Sequence, residues 1–249
     1  MSKPRVHIKT LAGCEGCQDS IAHGSGLASL LEAIDLVECR LLTSPVDLEI
    51  LPGDIVILEG VPITEEHITL LHEVRAKAAL VITIGACAAI GGIPGNIPGD
   101  AIVEADIGLH GEKIRSLKMR KGAPVSHYIP VDAVISGCPV SADEFYGTIA
   151  KLLCGGKPIQ HKYAVCGECR RTGCLLNEGK PCLGAGSSAG CGAVCPMHNR
   201  ACTACRGLLP GIDVEKLLET LEADGIDRKV ALKKLGIFNG FALREEKNV

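Results

Sequence analysis

LVITIGACAAIGG, residues 80–92, sets five apolar or β-branched residues in an unbroken row, then turns at once into glycines around a cysteine. A short run with no polar alternation is a strand covered on both faces, as in a parallel sheet flanked by helices. Working outward, the same order recurs: VHIKTLA (6–12) runs into GCEGC, and a short strand over 133–136 runs into GCP. Strands are also expected at 37–42 and at 55–58, the latter ending in Glu59-Gly60. Between them lie helical patterns. One is expected after Cys17, with Asp19 and Ser20 as caps and Leu27, Leu30, Leu31 and Ile34 at helical spacing. Others run from Thr64 to about Ala78, with Ile68, Leu71 and Val74 inward, and from about Ala142 to Leu153. Residues 96–127, rich in Gly, Pro and charge, read as an excursion. Strand–helix alternation of this kind predicts an α/β fold with a doubly wound, flavodoxin-like parallel sheet over residues 1–155.

Cys14, Cys17, Cys87 and Cys138 each follow one of these strands. In an open α/β sheet the loops at the carboxyl ends gather along one edge, where ligands bind. Four thiols far apart in sequence are thereby expected at one cofactor, and Gly13, Gly16, Gly85 and Gly137 leave room for close backbone approach.

After Gly155-Gly156-Lys157-Pro158 the character changes. Residues 165–205 read VCGECRRTGCLLNEGKPCLGAGSSAGCGAVCPMHNRACTAC and carry eight of the fourteen cysteines. So little apolar material calls for an inorganic core, and eight thiolates make two four-ligand sites for zinc or iron–sulfur clusters. Spacing alone leaves the partition open: Cys166 and Cys169 could pair with Cys202 and Cys205. The run fits neither the two-cluster ferredoxin pattern nor a zinc ribbon, whose CxxC pairs stand about 15–20 residues apart. Cys39 and Cys154 are left over and are expected to be buried, unliganded thiols. Two short helices are expected in the tail, one capped by Asp213 and one from about Val230 to Leu235 that ends at Gly236. Residues 156–249 thus form a second, irregular, cluster-binding domain.

Bulk properties close off other classes. A net charge of −3 and 2% aromatic residues argue against nucleic-acid binding. The longest nearly apolar run, 79–93, falls short of the roughly 18–20 residues of a membrane span. The opening residues lack the charged start and apolar block of a secretory signal. The expected location is the cytoplasm, where thiols stay reduced and a Cys-rich pattern reads as metal binding rather than as disulfides. GAGSSAG (184–190) has no strand before it and so is not a dinucleotide fingerprint. No phosphate-binding loop and no paired-histidine zinc motif occurs, and His198 is expected as a solvated surface residue. Glu15 and Glu59 stand beside presumed ligands, where each could relay protons or tune a cluster.

GCEGC, the EG at 59–60, GACAAIGG and SGCP together resemble the small subunit of nickel–iron hydrogenases, and the likeness covers essentially the whole chain. It implies an electron-relay subunit with three [4Fe-4S] clusters. The proximal cluster would be held by Cys14, Cys17, Cys87 and Cys138, the medial by Cys191, Cys195, Cys202 and Cys205, and the distal by Cys166, Cys169, Cys174 and Cys182. Hydrogen chemistry would belong to a separate nickel–iron large subunit, and the exit partner would carry a flavin or iron–sulfur centre. Cys166 stands where membrane-bound and periplasmic members usually have His, and Cys195 where they often have Pro. These departures look like the cytoplasmic, cofactor-linked groups: sulfhydrogenase delta-type, NAD(P)-linked, viologen-reducing and bifurcating enzymes. The rival readings are an electron-transfer subunit related to the quinone-reducing complexes, against which the eight extra cysteines count, and a redox-inert zinc module.

Overall fold

Strands β1 (Arg5–Thr10), β2 (Asp35–Cys39), β3 (Ile55–Glu59), β4 (Leu80–Ile84) and β5 (Ala133–Ile135) form one parallel sheet in the order β2-β1-β3-β4-β5. This is the flavodoxin-like order, and it confirms the expected α/β class. The structure is a computed structural model describing residues 3–44, 47–96 and 120–245. Most of the expected excursion at 96–127 therefore lies outside the described residues. Its last residues, Val125–His127, form a short 3-10 turn.

All five residues of β3 are buried, which is why IVILE carries no polar alternation. On one face of the sheet, Ile8, Ile57, Ile82 and Ile135 pack against Ile21 of α1 (Gly16–Ala22) and against Phe145 and Ile149 of α5 (Ala142–Leu153). On the other, Val56, Leu58 and Val81 meet Leu71 and Val74 of α3 (Glu65–Lys77). The Thr64 hydroxyl caps α3 by accepting the His67 N–H, with Glu65 and Glu66 in the first turn and Arg75 and Lys77 in the last, matching the helix dipole. Ser141 caps α5 in the same way. In register, Thr10 lies beside Glu59 and Glu59 beside Ile84, so the strands end level and present their loops along one edge.

The helix expected after Cys17 is two helices, α1 and α2 (Leu27–Ala33), broken at His23–Gly26. The reason is Tyr146 of α5: a Cβ at Gly24 or Gly26 would lie 2.6 or 2.5 Å from its ring, so both positions must stay bare. Asp19 sits inside α1 rather than capping it. A short α4 (Gly85–Ile90) follows β4 directly.

Beyond residue 156 the chain turns through short 3-10 segments and one four-residue helix, α6 (Val194–Met197). Helices α7 (Val214–Ala223) and α8 (Arg228–Glu245) then supply what the Cys-rich run lacks: Leu217, Leu218, Leu221, Ala231 and Leu235 close a third core over Leu183 and Ala204. Asp213 caps α7 as expected. The second tail helix does not stop at Gly236, because Leu235 and Phe238 continue its buried stripe. It is interrupted only at buried Asn239, whose Nδ2 donates to Ala204 O and Leu235 O. Among the described residues no helix is long and apolar enough to cross a membrane.

Candidate metal centres

The loop between β1 and α1 carries Cys14, α1 carries Cys17 in its first turn, α4 begins two residues before Cys87, and Cys138 follows β5. The sheet brings these four together: Cys87 and Cys138 act electrostatically on Cys17, and Cys14 acts on both Cys87 and Cys138. Gly85, at φ +79°, is part of the cradle, since a Cβ there would stand 2.4 Å from the Cys17 sulfur. The Ala86 N–H donates to the Gly137 carbonyl at 2.6 Å, locking the β4 and β5 loops to each other.

Glu59, at the end of β3, is 3% exposed and accepts the N–H groups of Cys17 (2.9 Å) and Gln18 (3.2 Å). Its carboxylate thereby satisfies donors that the start of α1 leaves free. Glu15 adopts a left-handed conformation at φ 61° and pairs with Arg40 at 3.3 Å. It is a tethered loop carboxylate.

The later eight cysteines fall into two neighbourhoods. Cys182, Cys174 and Cys169 all act on Cys166, and these four line one small cavity with Leu175 and Pro196. Cys191, Cys195, Cys202 and Cys205 line a second cavity, which reaches Cys138 at its rim. Cys202 feels Cys182 of the first neighbourhood and then Cys205 and Cys191 of its own, and Cys205 feels Cys191 and Cys195.

Adjacent sets touch. Cys138 and Cys205 line the same cavity, and the Cys202 N–H donates to the Cys182 sulfur at 3.3 Å. Four polar side chains that sequence reasoning missed hold the sets in place. Glu168, between Cys166 and Cys169, accepts the N–H groups of Gly190 and Gly192 on either side of Cys191. Arg206, next to Cys205, forms a bidentate pair with Glu144 of α5 at 2.6 and 2.7 Å and also donates to the Ser136 and Ala189 carbonyls. Lys234 of α8 donates to the carbonyls just before Cys182 and Cys202. The only sequence signal for Glu168 and Arg206 was a charge beside a CxxC cysteine, and Lys234 gave none.

Burial raises the thiols. Cys87 and Cys202 are pushed up to about 12 and Cys166 to about 11, desolvation leading and neighbouring thiols adding to it. Cys17 rises further still, from burial and then from Glu59. Free thiols this reluctant to ionise become thiolates only beside a strong local cation, so loading expels protons.

None of the fourteen cysteines forms a disulfide. Cys39 is buried, its thiol donating to the Gln18 side chain at 3.2 Å. Cys154 corrects the expectation of burial: it is exposed, because it falls at the end of α5, past the last buried turn. His198 is exposed, as expected.

The donor chemistry fits iron–sulfur clusters: soft sulfur donors in fours, beside glycines and small residues. Among the described residues, no three His, Cys, Asp or Glu side chains converge as the ligands of one ion do. Thiols that bind separate irons of a cluster have no need to converge.

The family described as NADH ubiquinone oxidoreductase, 20 Kd subunit, matches residues 14–152, the span holding the sheet and the first four cysteines. The delta subunit of sulfhydrogenase 2 from Pyrococcus furiosus is 30% identical over 235 residues, covering 92% of this chain and 97% of that one. A subunit of the vhu F420-non-reducing hydrogenase from Methanococcus voltae is 29% identical, covering 97% and 96%. Among solved structures, a chain of an NAD+-reducing [NiFe]-hydrogenase aligns with a TM-score of 0.52 at 27% identity, covering 63% of this chain and 94% of that chain. A chain of the actinobacterial-type NiFe-hydrogenase from Ralstonia eutropha H16 aligns at 0.60 over 99% of this chain and 90% of that chain; at 17% identity it speaks for the fold alone.

Proposed function

We propose a role from one premise: the chain belongs to the small subunits of nickel–iron hydrogenases, alongside the sulfhydrogenase delta and F420-non-reducing hydrogenase subunits, and so is part of an oxidoreductase. In this role it binds three [4Fe-4S] clusters. Cys14, Cys17, Cys87 and Cys138 hold the proximal one, Cys191, Cys195, Cys202 and Cys205 the medial, and Cys166, Cys169, Cys174 and Cys182 the distal. Residues 1–155 form the domain for the first and residues 156–249 the domain for the other two. When bound, the clusters supply one-electron carriers in series between the nickel–iron site of a large subunit and a flavin- or iron–sulfur-bearing partner.

The observation that carries this reading is adjacency in order: Cys138 lines the same cavity as Cys191, Cys195, Cys202 and Cys205, and Cys202 donates its N–H to the Cys182 sulfur. Each set thus adjoins the next, and the backbone hydrogen bond to the Cys182 sulfur is a contact that also tunes a cluster. Glu59 fixes Cys17 and adds negative charge beside it, and Glu15 holds the same loop to Arg40. Through these contacts the two carboxylates tune the proximal site or pass protons near it. Cys14 and Cys138 are exposed, which suits a face that the large subunit covers. The location proposed is the cytoplasm.

The test is metal and sulfide analysis of the complex purified anaerobically from its native host. The expected result is about twelve irons per chain, at four per cube, with matching sulfide and with nickel on a larger copurifying subunit. Zinc without sulfide overturns the relay. Iron without nickel moves the relay to the quinone-reducing type of complex, whose family matches the first domain.

A further inference from the structure

Lys234 is placed by packing. It precedes Leu235, which is fully buried, and follows buried Ala231 by one turn, so α8 fixes where its side chain starts. Its ammonium donates to the Pro181 carbonyl at 2.7 Å and to the Ala201 carbonyl at 3.4 Å. Each of those residues immediately precedes a cysteine, Cys182 in one case and Cys202 in the other. These two cysteines are the ones joined by the Cys202 N–H to Cys182 sulfur bond. The ammonium therefore sits over the junction of two cysteine sets. Burial pulls its pKa below the ordinary 10.5, and the ionisable groups that oppose this are the thiols of Cys182, Cys202 and Cys195, with no carboxylate among them. Lys229 and Lys233 of the same helix are exposed, where solvent screens them.

We propose that Lys234 is a potential-setting residue: a fixed positive charge at the medial–distal junction that makes both clusters easier to reduce relative to the proximal one. The inference rests on the cluster assignment proposed above. Its physics is direct. Reduction adds an electron to a cluster already ringed by thiolates, and a nearby cation in a partly desolvated site lowers the energy of that added charge. A charge placed between two sites acts on both, and so raises the two potentials together.

The experiment is a redox titration followed by electron paramagnetic resonance on the cluster-loaded complex, comparing the unsubstituted protein with K234M and K234R. In K234M the medial and distal midpoints are expected to fall. At the unsubstituted midpoint the reduced-to-oxidised ratio of each drops about tenfold, on an effective dielectric between protein and water. The proximal midpoint stays in place, and K234R stays close to the unsubstituted protein. If K234M sheds iron, K234Q keeps a donor for the two carbonyls without the charge and is expected to show the same fall. The proposal is overturned if neither midpoint moves, if all three move equally, or if K234R moves as far as K234M. Failure of the cluster assignment is separately visible: the unsubstituted protein would then lack three cluster signals before any substitution is made.

Discussion

Replacing Arg206 by Met tests whether the sheet and the Cys-rich region are held together by one buried ion pair. The side chains of Arg206 and Glu144 are 5% and 6% exposed. The guanidinium makes two bonds to Glu144 and others to the Ser136, Ser188 and Ala189 carbonyls, so its donors are spent on both sides of the boundary. Met fills similar space but leaves the Glu144 carboxylate with His161, at 3.0 Å, as its remaining partner. Removing one member of a buried pair costs about 3–5 kcal/mol, most of it the penalty of the stranded charge. Glu144→Leu in the same chain removes that charge. The double variant is therefore expected to recover roughly 1–3 kcal/mol over the single one, the coupling of groups in direct contact. The assay is guanidinium unfolding of the cluster-loaded complex, read in parallel by circular dichroism and by the visible absorbance of the clusters. A single variant within about 1 kcal/mol of the unsubstituted protein, or a double variant no better than the single, would refute the reasoning.

Gly85→Ala is expected to abolish proximal-cluster loading, because its Cβ would stand 2.4 Å from the Cys17 sulfur at a φ of +79°; iron analysis should show a loss of about four irons per chain. Cys205→Ser should likewise lose one cluster, whereas Cys154→Ser should keep every iron and remove the thiol that labels first with an alkylating reagent, since Cys154 is exposed at a helix end. Acid sensitivity should come from the charged cluster under β1. Burial pushes Glu38 up, but Lys9 at 2.7 Å, the Asp47 N–H and His7 more than reverse it, leaving it below its ordinary 4.5. Asp54 lies below its ordinary 3.8 for similar reasons, burial being outweighed by the Leu51 N–H, Arg5 and His7. A folded value below the unfolded one adds stability that is full above the ordinary value and lost as pH falls through the folded one. Glu38→Gln should therefore lower the unfolding midpoint at neutrality and flatten its decline in acid; an unchanged acid limb would count against the pair.

The sheet was legible because its signal is local. Leu80–Ile84 and Ile55–Glu59 are buried on both faces, and such strands must be written in apolar residues. The meeting of Cys14, Cys17, Cys87 and Cys138 followed from topology, since level strand ends put their loops side by side. The break between α1 and α2 was hidden because its cause is Tyr146, more than a hundred residues away. Arg206, Glu144 and Lys234 were hidden for the same reason: each acts through carbonyls or a carboxylate supplied by distant segments. The exposure of Cys154 turned on where α5 ends, and boundaries are the least certain part of any pattern reading.

The spread of the cysteines along the chain also orders events during synthesis. Cys14 and Cys138 meet only after β5, the last strand, has joined the edge of the sheet, so the first site cannot exist on a nascent chain until the whole α/β unit has folded. The later eight lie within residues 166–205 and close short loops, for which the entropic cost is small. Their cover comes later still, from α7 and α8. A chain lacking those helices would leave Leu183 and Ala204, which neighbour Cys182 and Cys205, without their apolar cover, so the later cysteines would stay loosely held until the last residues of the core arrived.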